Sequence, residues 1–522
     1  MRNQFGVAPQ ANISRSTFNR SHGLKTTFDS GLLVPFLVDE VLPGDDVTCR
    51  LSALVRMATP IHPVMDNLYL DTFFFFVPNR LVWDNWQKFM GEQDNPGDST
   101  DFTVPARQLT GSAGDAGIGS LQDYFGLPVV GHTGNFTVSD LPFRCYNLIW
   151  NEWFRDENLQ NSAVVDKGDT VTTVTNYVLR RRGKRRDYLT SSLPFPQKGP
   201  GVDLPLGTTA PVTTGASVGE PIGIRNIPEQ LPFEMNSDGA GTTVRRGTTA
   251  TTSAQGMVAD LANATAATIN DLRMAFQIQK LQERDARGGT RYTEILKSHF
   301  GVVSPDARLQ RPEFLGSGTT PVNVTQVPQT GRTETDSTPE NPKTPQGNLA
   351  GYATASVRNN GFTKGFVEHG WILGLMSVRA DLTYQRGVEK MWSRSTKYDF
   401  YWPALQGLGE QAVLNQEIWV DGTSADQQVW GYQSRWSEYR FKYSKITGQF
   451  RSGHPNTLDP WHLSQDFENR PVLNDSFIQD TPPVKRVIAV TSEPEFIFDG
   501  WIDYKWARPL PVHGIPGYID HF

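Results

Sequence analysis

The sequence predicts a mainly β protein, a Greek-key antiparallel sandwich interrupted by helices and long loops. Three observations lead there. Glycine (47) and proline (35) are spread along all 522 residues, as expected where many short strands meet in turns. Apolar and polar residues alternate with a period of two near both ends of the chain, whereas helical periodicity is confined to stretches between them. The length also exceeds the roughly 250–300 residues at which one hydrophobic core stops growing, which calls for two domains or, as fits better here, one scaffold with large insertions. The jelly roll is the best-known sandwich of this kind.

Taken in order, residues 1–28 contain Arg2, Arg15, Arg20 and Lys25, no acidic residue and little apolar pattern, the composition of a flexible basic arm. Val47, Cys49, Leu51, Ala53 and Val55 then alternate with Thr48, Arg50, Ser52 and Arg56, the period of a half-buried strand. Leu68–Val77 is a second strand, apolar enough to be covered on both faces. After Pro78, residues Val82, Trp86, Phe89 and Met90 share a helical face. A stronger helix follows Asp140 and Pro142, with Tyr146, Ile149, Trp150, Trp153 and Phe154 at i, i+3, i+4, i+7 and i+8. Nothing polar converges on these aromatic stripes, so they read as packing surfaces rather than ligand sites.

Residues 200–262 are rich in Thr, Gly and Ala and too poor in large apolar residues to bury a core, so this stretch reads as disordered or as a surface excursion. A helix follows, opened by Thr268 and Asp271 and stopped by Gly288 and Gly289, with Ile269, Leu272, Ala275 and Phe276 on its apolar side. Gly316–Gly347 reads as a second loop. The last third returns to strands at Tyr439–Tyr443, Val484–Val490 and Ile502–Trp506.

Chemistry is sparse. H-E-x-x-H, G-x-x-x-x-G-K-[ST], EF-hand and C-x-x-C patterns are all missing from the sequence, so neither catalysis, nor a metal, nor a cofactor is expected. His454 and His462 are the nearest approach to a ligand pair, and Asp421 with Asp426 is turn-like. Cys49 and Cys145 have no pairing or metal-type spacing, the usage of a reducing cytoplasm. Met1–Gln10 has no signal-peptide core, and no apolar run approaches the ~18 residues of a membrane span, so a soluble chain is expected.

With a formal charge of −6, any nucleic-acid contact has to be local. Arg180, Arg181, Arg182, Lys184, Arg185 and Arg186 place six cations in seven residues. So dense a run repels itself unless phosphates, or carboxylates at a subunit boundary, face it. Arg435 and Trp436 before Tyr439, Arg440, Phe441, Lys442 and Tyr443 offer charge interleaved with aromatic rings, although a half-buried strand explains them more simply.

Several long blocks carry a resemblance. They are Asn19-Arg20-Ser21-His22 through Lys25-Thr26-Thr27-Phe28-Asp29, Val38–Asp45, Met65-Asp66-Asn67, Phe75–Asp84, Tyr146–Asp156, Ser304–Pro312 and Pro516–Phe522. Running in order from end to end, they resemble the major capsid protein of the gokushovirus group of microviruses, small icosahedral single-stranded DNA phages. The resemblance implies an eight-stranded jelly roll, a T=1 shell of one coat protein and a circular single-stranded DNA genome inside. It also implies a small basic DNA-binding companion protein, and an insertion rising as a three-fold protrusion that meets a host surface receptor.

The expected organisation is then a basic arm facing the interior (1–28), the first part of the jelly roll (29–198), the surface insertion (199–262) and the remainder of the jelly roll (263–522). Arg15, Arg20 and Lys25 of the arm and Arg180–Arg186 are the candidate DNA contacts. The expected place of action is the virion, assembled in the bacterial cytoplasm without a membrane partner. A trimeric receptor-binding spike and a carbohydrate-active jelly-roll enzyme are the rivals; the latter needs a carboxylate pair across a cleft, and none is evident.

Overall fold

The computed structural model describes residues 14–109, 117–129, 136–170, 176–202, 269–303, 310–331 and 346–513, together with short strand segments between residues 212 and 259. The strands are β1 (Ser16–Asn19), β2 (His22–Phe28), β3 (Val34–Val41), β4 (Asp46–Met57), β5 (Leu68–Pro78), β6 (Ala106–Leu109), β7 (Phe136–Ser139), β8 (Val212–Thr214), β9 (Ile222–Arg225), β10 (Pro232–Ser237), β11 (Val244–Arg246), β12 (Met257–Ala259), β13 (Glu313–Pro328), β14 (Leu349–Gly365), β15 (Gly370–Ala380), β16 (Glu410–Leu414), β17 (Val429–Ser434) and β18 (Phe496–Arg508). The α-helices are α1 (Trp86–Phe89), α2 (Leu121–Tyr124), α3 (Leu141–Ile149), α4 (Ile269–Gly288), α5 (Tyr292–Phe300) and α6 (Asp475–Ile478).

Two compact units result, residues 197–289 and the rest of the chain. In the larger unit one antiparallel path runs β1-β18-β4-β14-β13-β5-β15-β3, and β2 also pairs with β18. The sheet curls because β13 changes partners along its length. Its residues Glu313–Val322 pair with β5, whereas Asn323–Pro328 pair with β14. The two halves thus face each other across a core in which Phe36 lies edge-on to Phe74 (5.4 Å) and near Phe498 (6.4 Å). This is the mainly β, jelly-roll type of wall that the sequence predicts.

Alternation explains the single-sided strands. Every second residue of β4, from Val47 to Met57, is buried, and so are Phe496, Phe498, Ile502, Tyr504 and Trp506 of β18. By contrast β5 and β15 are buried on both faces. Phe74 and Phe76 point into the sandwich, while Phe75 and Val77, with Leu373 and Leu375, pack under α3 and its neighbours Val82, Trp83, Phe143, Tyr146 and Trp150. The aromatic stripe of α3, prolonged by one π-helical turn over Trp150–Phe154, is therefore a sheet-covering surface.

A buried charge cluster fixes this outer layer. Asp140, at the start of α3, receives Nε–H of Arg107 and Nε–H of Arg144, both at 2.6 Å, with all three side chains inaccessible to solvent. The Arg107 guanidinium is held between the Phe143 and Tyr177 rings, 4.0 and 4.3 Å from their centroids.

The structure corrects four local expectations. Pro78–Met90 forms a 3-10 turn at Asn79–Leu81 and the single turn α1, because Val82 and Trp83 are drawn into the layer under α3 and leave no one-sided face. The first part of the Gly316–Gly347 loop is strand, since β-branched Thr319, Thr320, Val322 and Val324 suit β13. Tyr439–Tyr443 is not a strand: Ser437–Tyr439 is a 3-10 turn entered through Trp436 at φ 68°. Val484–Val490 holds a 3-10 turn that drops Val484, Val487 and Ile488 into the main core.

In the smaller unit, β9-β10-β11 and β8-β12 form two small sheets, and α4 is tied to residue 197 by a Gln197–Gln282 side-chain hydrogen bond of 3.0 Å. Of the residues expected on the apolar side of α4, only Ala275 is buried; Ile269, Leu272 and Phe276 are exposed.

Two substitutions test this reading. Asp140→Asn strands two buried guanidinium groups and is expected to cost about 3–5 kcal/mol, read as a lower urea midpoint of the purified subunit. Gly361, one residue after β14 resumes its pairing with β4 beyond a bulge, has no room for a side chain, as an added Cβ would lie 1.9 Å from the Cys49 carbonyl oxygen. Gly361→Ala is expected to destabilise by roughly 1–3 kcal/mol, measured by thermal unfolding, whereas alanine at the open Gly407 position leaves stability near wild type.

Candidate nucleic-acid interface

The N-terminal cations sit on ordered backbone. Composition suggests a flexible arm, but β1 and β2 both lie antiparallel on β18, with Phe18 opposite Trp506 and Leu24 opposite Gly500. A segment without a core of its own gains one by edge pairing. Arg15 binds Asp46 at 2.9 Å. Arg20 binds Asp39 at 2.8 Å with its guanidinium 5.0 Å over the Trp506 ring. Lys25 reaches Asp499 at 2.6 Å, and this last pair is well exposed. Residues 1–13, including Arg2, lie outside the described residues.

The Arg180–Arg186 run is threaded through the fold. Residues 181–184 pass between the turn before β3 and the end of α6, with Leu32 bridged to Arg181 and Gly183 to Gln479. The passage is so narrow that Gly31, at φ 74°, would place a Cβ 1.9 Å from the Asp480 carbonyl oxygen. Arg180 donates to Asn147 and to the Asn176 carbonyl and stacks 4.9 Å over Trp150. Arg181 donates to the carbonyls of Ser30 and Asp480. Arg182 binds Asp71 at 2.7 Å, a carboxylate shared with Arg379.

Lys184 is buried on the Phe477 ring at 4.2 Å and donates to Gln465. Burial pushes its ammonium down to about 8, against the pull of Asp480 and Asp187. Burial likewise pushes the Asp480 carboxyl up to about 6, against the pull of Arg182, Lys184, Arg379 and Arg181. Four of the six cations thus serve the interior of the subunit, and Arg185 and Arg186 are the exposed pair.

The remaining sequence candidates separate in space. At 435–443, the Arg435 guanidinium covers the buried Trp436 ring at 4.7 Å, Lys442 lies 3.5 Å from Glu389, and Tyr439 and Phe441 are exposed. His462 is buried, with Nδ1 accepting from the Ser464 amide, whereas His454 accepts from the Asn456 amide. Asp421 and Asp426 share Arg470 at 2.8 and 2.6 Å. Cys49 and Cys145 are free and buried.

One cationic surface escaped the sequence search. The solvent face of β18, β4 and β14 presents Arg50, Arg56, Arg358 and Trp501 together. Its signal was the polar half of the same alternation that revealed the core.

Comparison with known proteins accounts for the wall as a whole. A family described as capsid protein (F protein) matches residues 7–518. Capsid protein VP1 of Bdellovibrio phage phiMH2K is 46% identical over 533 residues, covering 99% of this chain and 98% of that one. Capsid protein VP1 of Chlamydia phage 1 is 41% identical over 99% and 98% of the two chains, and that of Spiroplasma virus 4 is 35% identical over 98% and 97%. With a curled antiparallel wall, and with similarity that runs from one end to the other, this chain belongs to the capsid protein (F protein) family of the gokushovirus-type microviruses.

Proposed function

We propose that this major capsid subunit closes into a T=1 icosahedral shell around a circular single-stranded DNA genome and catalyses no reaction. The observation that carries the reading is end-to-end similarity to proteins named capsid protein. Closed shells are built by repeating one set of contacts about symmetry axes, which suits a stiff wall whose β5 and β15 are packed on both faces. Two buried free thiols suit assembly in the reducing cytoplasm of the bacterial host before the subunit resides in the virion.

The charge distribution supports a divided neutralisation of the genome. An acidic chain that uses four cations of its densest cluster internally leaves most phosphates to a small basic companion protein. The insertion expected at residues 199–262 falls within the unit 197–289, and it is the part we assign to the outside of the shell, as a protrusion in contact with a host receptor.

Sedimentation of purified particles tests the shell: about sixty copies of a 58.2 kDa chain give on the order of 3.5 MDa. A species of trimer size points to a spike instead. The cluster is tested by comparing two variants. Arg182→Gln is expected to lower subunit stability by about 1–3 kcal/mol through the loss of a charged hydrogen bond to Asp71. The Arg185→Gln/Arg186→Gln pair is expected to leave stability unchanged, read from denaturant midpoints.

A further inference from the structure

The outer face of β2, β18, β4 and β14 carries side chains that neither the core nor the arginine cluster employs. Alternation turns Ile497, Asp499, Trp501, Asp503 and Lys505 of β18 to solvent, beside Arg50, Ser52, Leu54 and Arg56 of β4. Ser356 and Arg358 of β14 and Lys25 of β2 join them. The register aligns Gly23, Trp501 and Ser52 in one row across three strands, and Lys25, Asp499, Leu54 and Ser356 in the next.

Trp501 is 55% exposed, and its two cross-strand neighbours are small. A Cβ at Gly23 would already touch its ring at 3.7 Å, so glycine there keeps that side of the indole clear. An open groove of about 790 Å³ surrounds the ring, lined in part by Lys25, Ser52, Leu54, Ser356 and Arg358.

Charge selects the occupant. Lys25 and Lys505 lie 2.6 and 3.9 Å from Asp499 and Asp503. Arg50, Arg56 and Arg358 then form no carboxylate ion pair among the described residues, on a chain whose overall charge is −6. A strongly basic peptide is repelled by such a face. A second copy seated here would have to bury three guanidinium groups, which is costly without carboxylates to match. Single-stranded nucleic acid satisfies both components, since phosphates take the cations and an unpaired base takes the ring, as on other sheet surfaces and grooves that bind single strands.

We propose that this sheet face is where the shell holds unpaired bases of single-stranded DNA, with Trp501 as the stacking platform and Arg50, Arg56 and Arg358 as phosphate contacts. The proposal rests on the reading that the shell encloses such DNA. It moves the main contact away from Arg180–Arg186.

Ultraviolet cross-linking of intact particles followed by peptide mass spectrometry tests it. Nucleotide adducts are expected on the peptide that contains Trp501, and Trp501→Ala is expected to abolish them at unchanged thermal stability. With purified full-length subunits and oligothymidylate, Arg50→Gln/Arg56→Gln/Arg358→Gln is expected to reduce the slope of log affinity against log salt by about 2, at about 0.7 per phosphate. DNA-filled particles whose adducts map only to other segments overturn the proposal alone. Cross-links from this face to a companion protein or a second subunit overturn it in favour of that partner. Particles of full size without DNA overturn the enclosing reading, and this proposal with it.

Discussion

The pairing of Phe496–Arg508 on both of its edges is the constraint from which much of the larger unit follows. This last long strand takes β4 on one side and both N-terminal strands on the other. Because strand side chains alternate, a shift of one residue would turn Phe496, Phe498, Ile502, Tyr504 and Trp506 out of the core and bring Asp499, Asp503 and Lys505 into it. The register is therefore set by the hydrophobic effect as much as by backbone hydrogen bonds. The same pairing orders residues 16–28 and holds Lys25 and Trp501 on a common surface.

Buried charge organises the other side of the wall. Asp140 and Asp71 each gather two arginines, Arg107 with Arg144 and Arg182 with Arg379. Such clusters add little net stability over apolar packing, but they are costly to leave incomplete and so favour one arrangement of the segments that supply them. Arg182 in particular ties the arginine-rich segment to β5, a strand already covered on both faces. A cluster that looks like a nucleic-acid contact thus works first as an internal fastener. Ring faces reinforce this, since Arg180, Lys184 and Arg107 each lie against aromatic side chains.

A capsid subunit has to be stiff where it is wall and must keep surface available for its contents and its neighbours. Apolar residues on both faces of β5 and β15 meet the first demand. Sheets with one dry face, such as β18 with β4 and β14, leave the opposite face available for the second. The proposed division, with bases on the sheet and bulk neutralisation by a companion, follows from where cations remain exposed after folding.

Period-two alternation made β4 and β18 legible from the residues alone, an almost unbroken apolar run did so for β5, and the 3.6-residue stripe for α3. Composition misled where a strand was built of Thr, Gly and Pro, as in β13, or where apolar residues entered the core from a turn, as at Val484–Ile488. The site was less legible than the fold. The sequence by itself determined the capsid family, the sandwich class and the presence of six clustered cations. Only the tertiary structure decided that four of them face inward, because Asp71 lies 111 residues from Arg182 and the Ile478 and Asp480 backbone closes over the run from still farther away. Burial and pairing are set by neighbours in space, and a strand's register with its partners is not written in either strand alone.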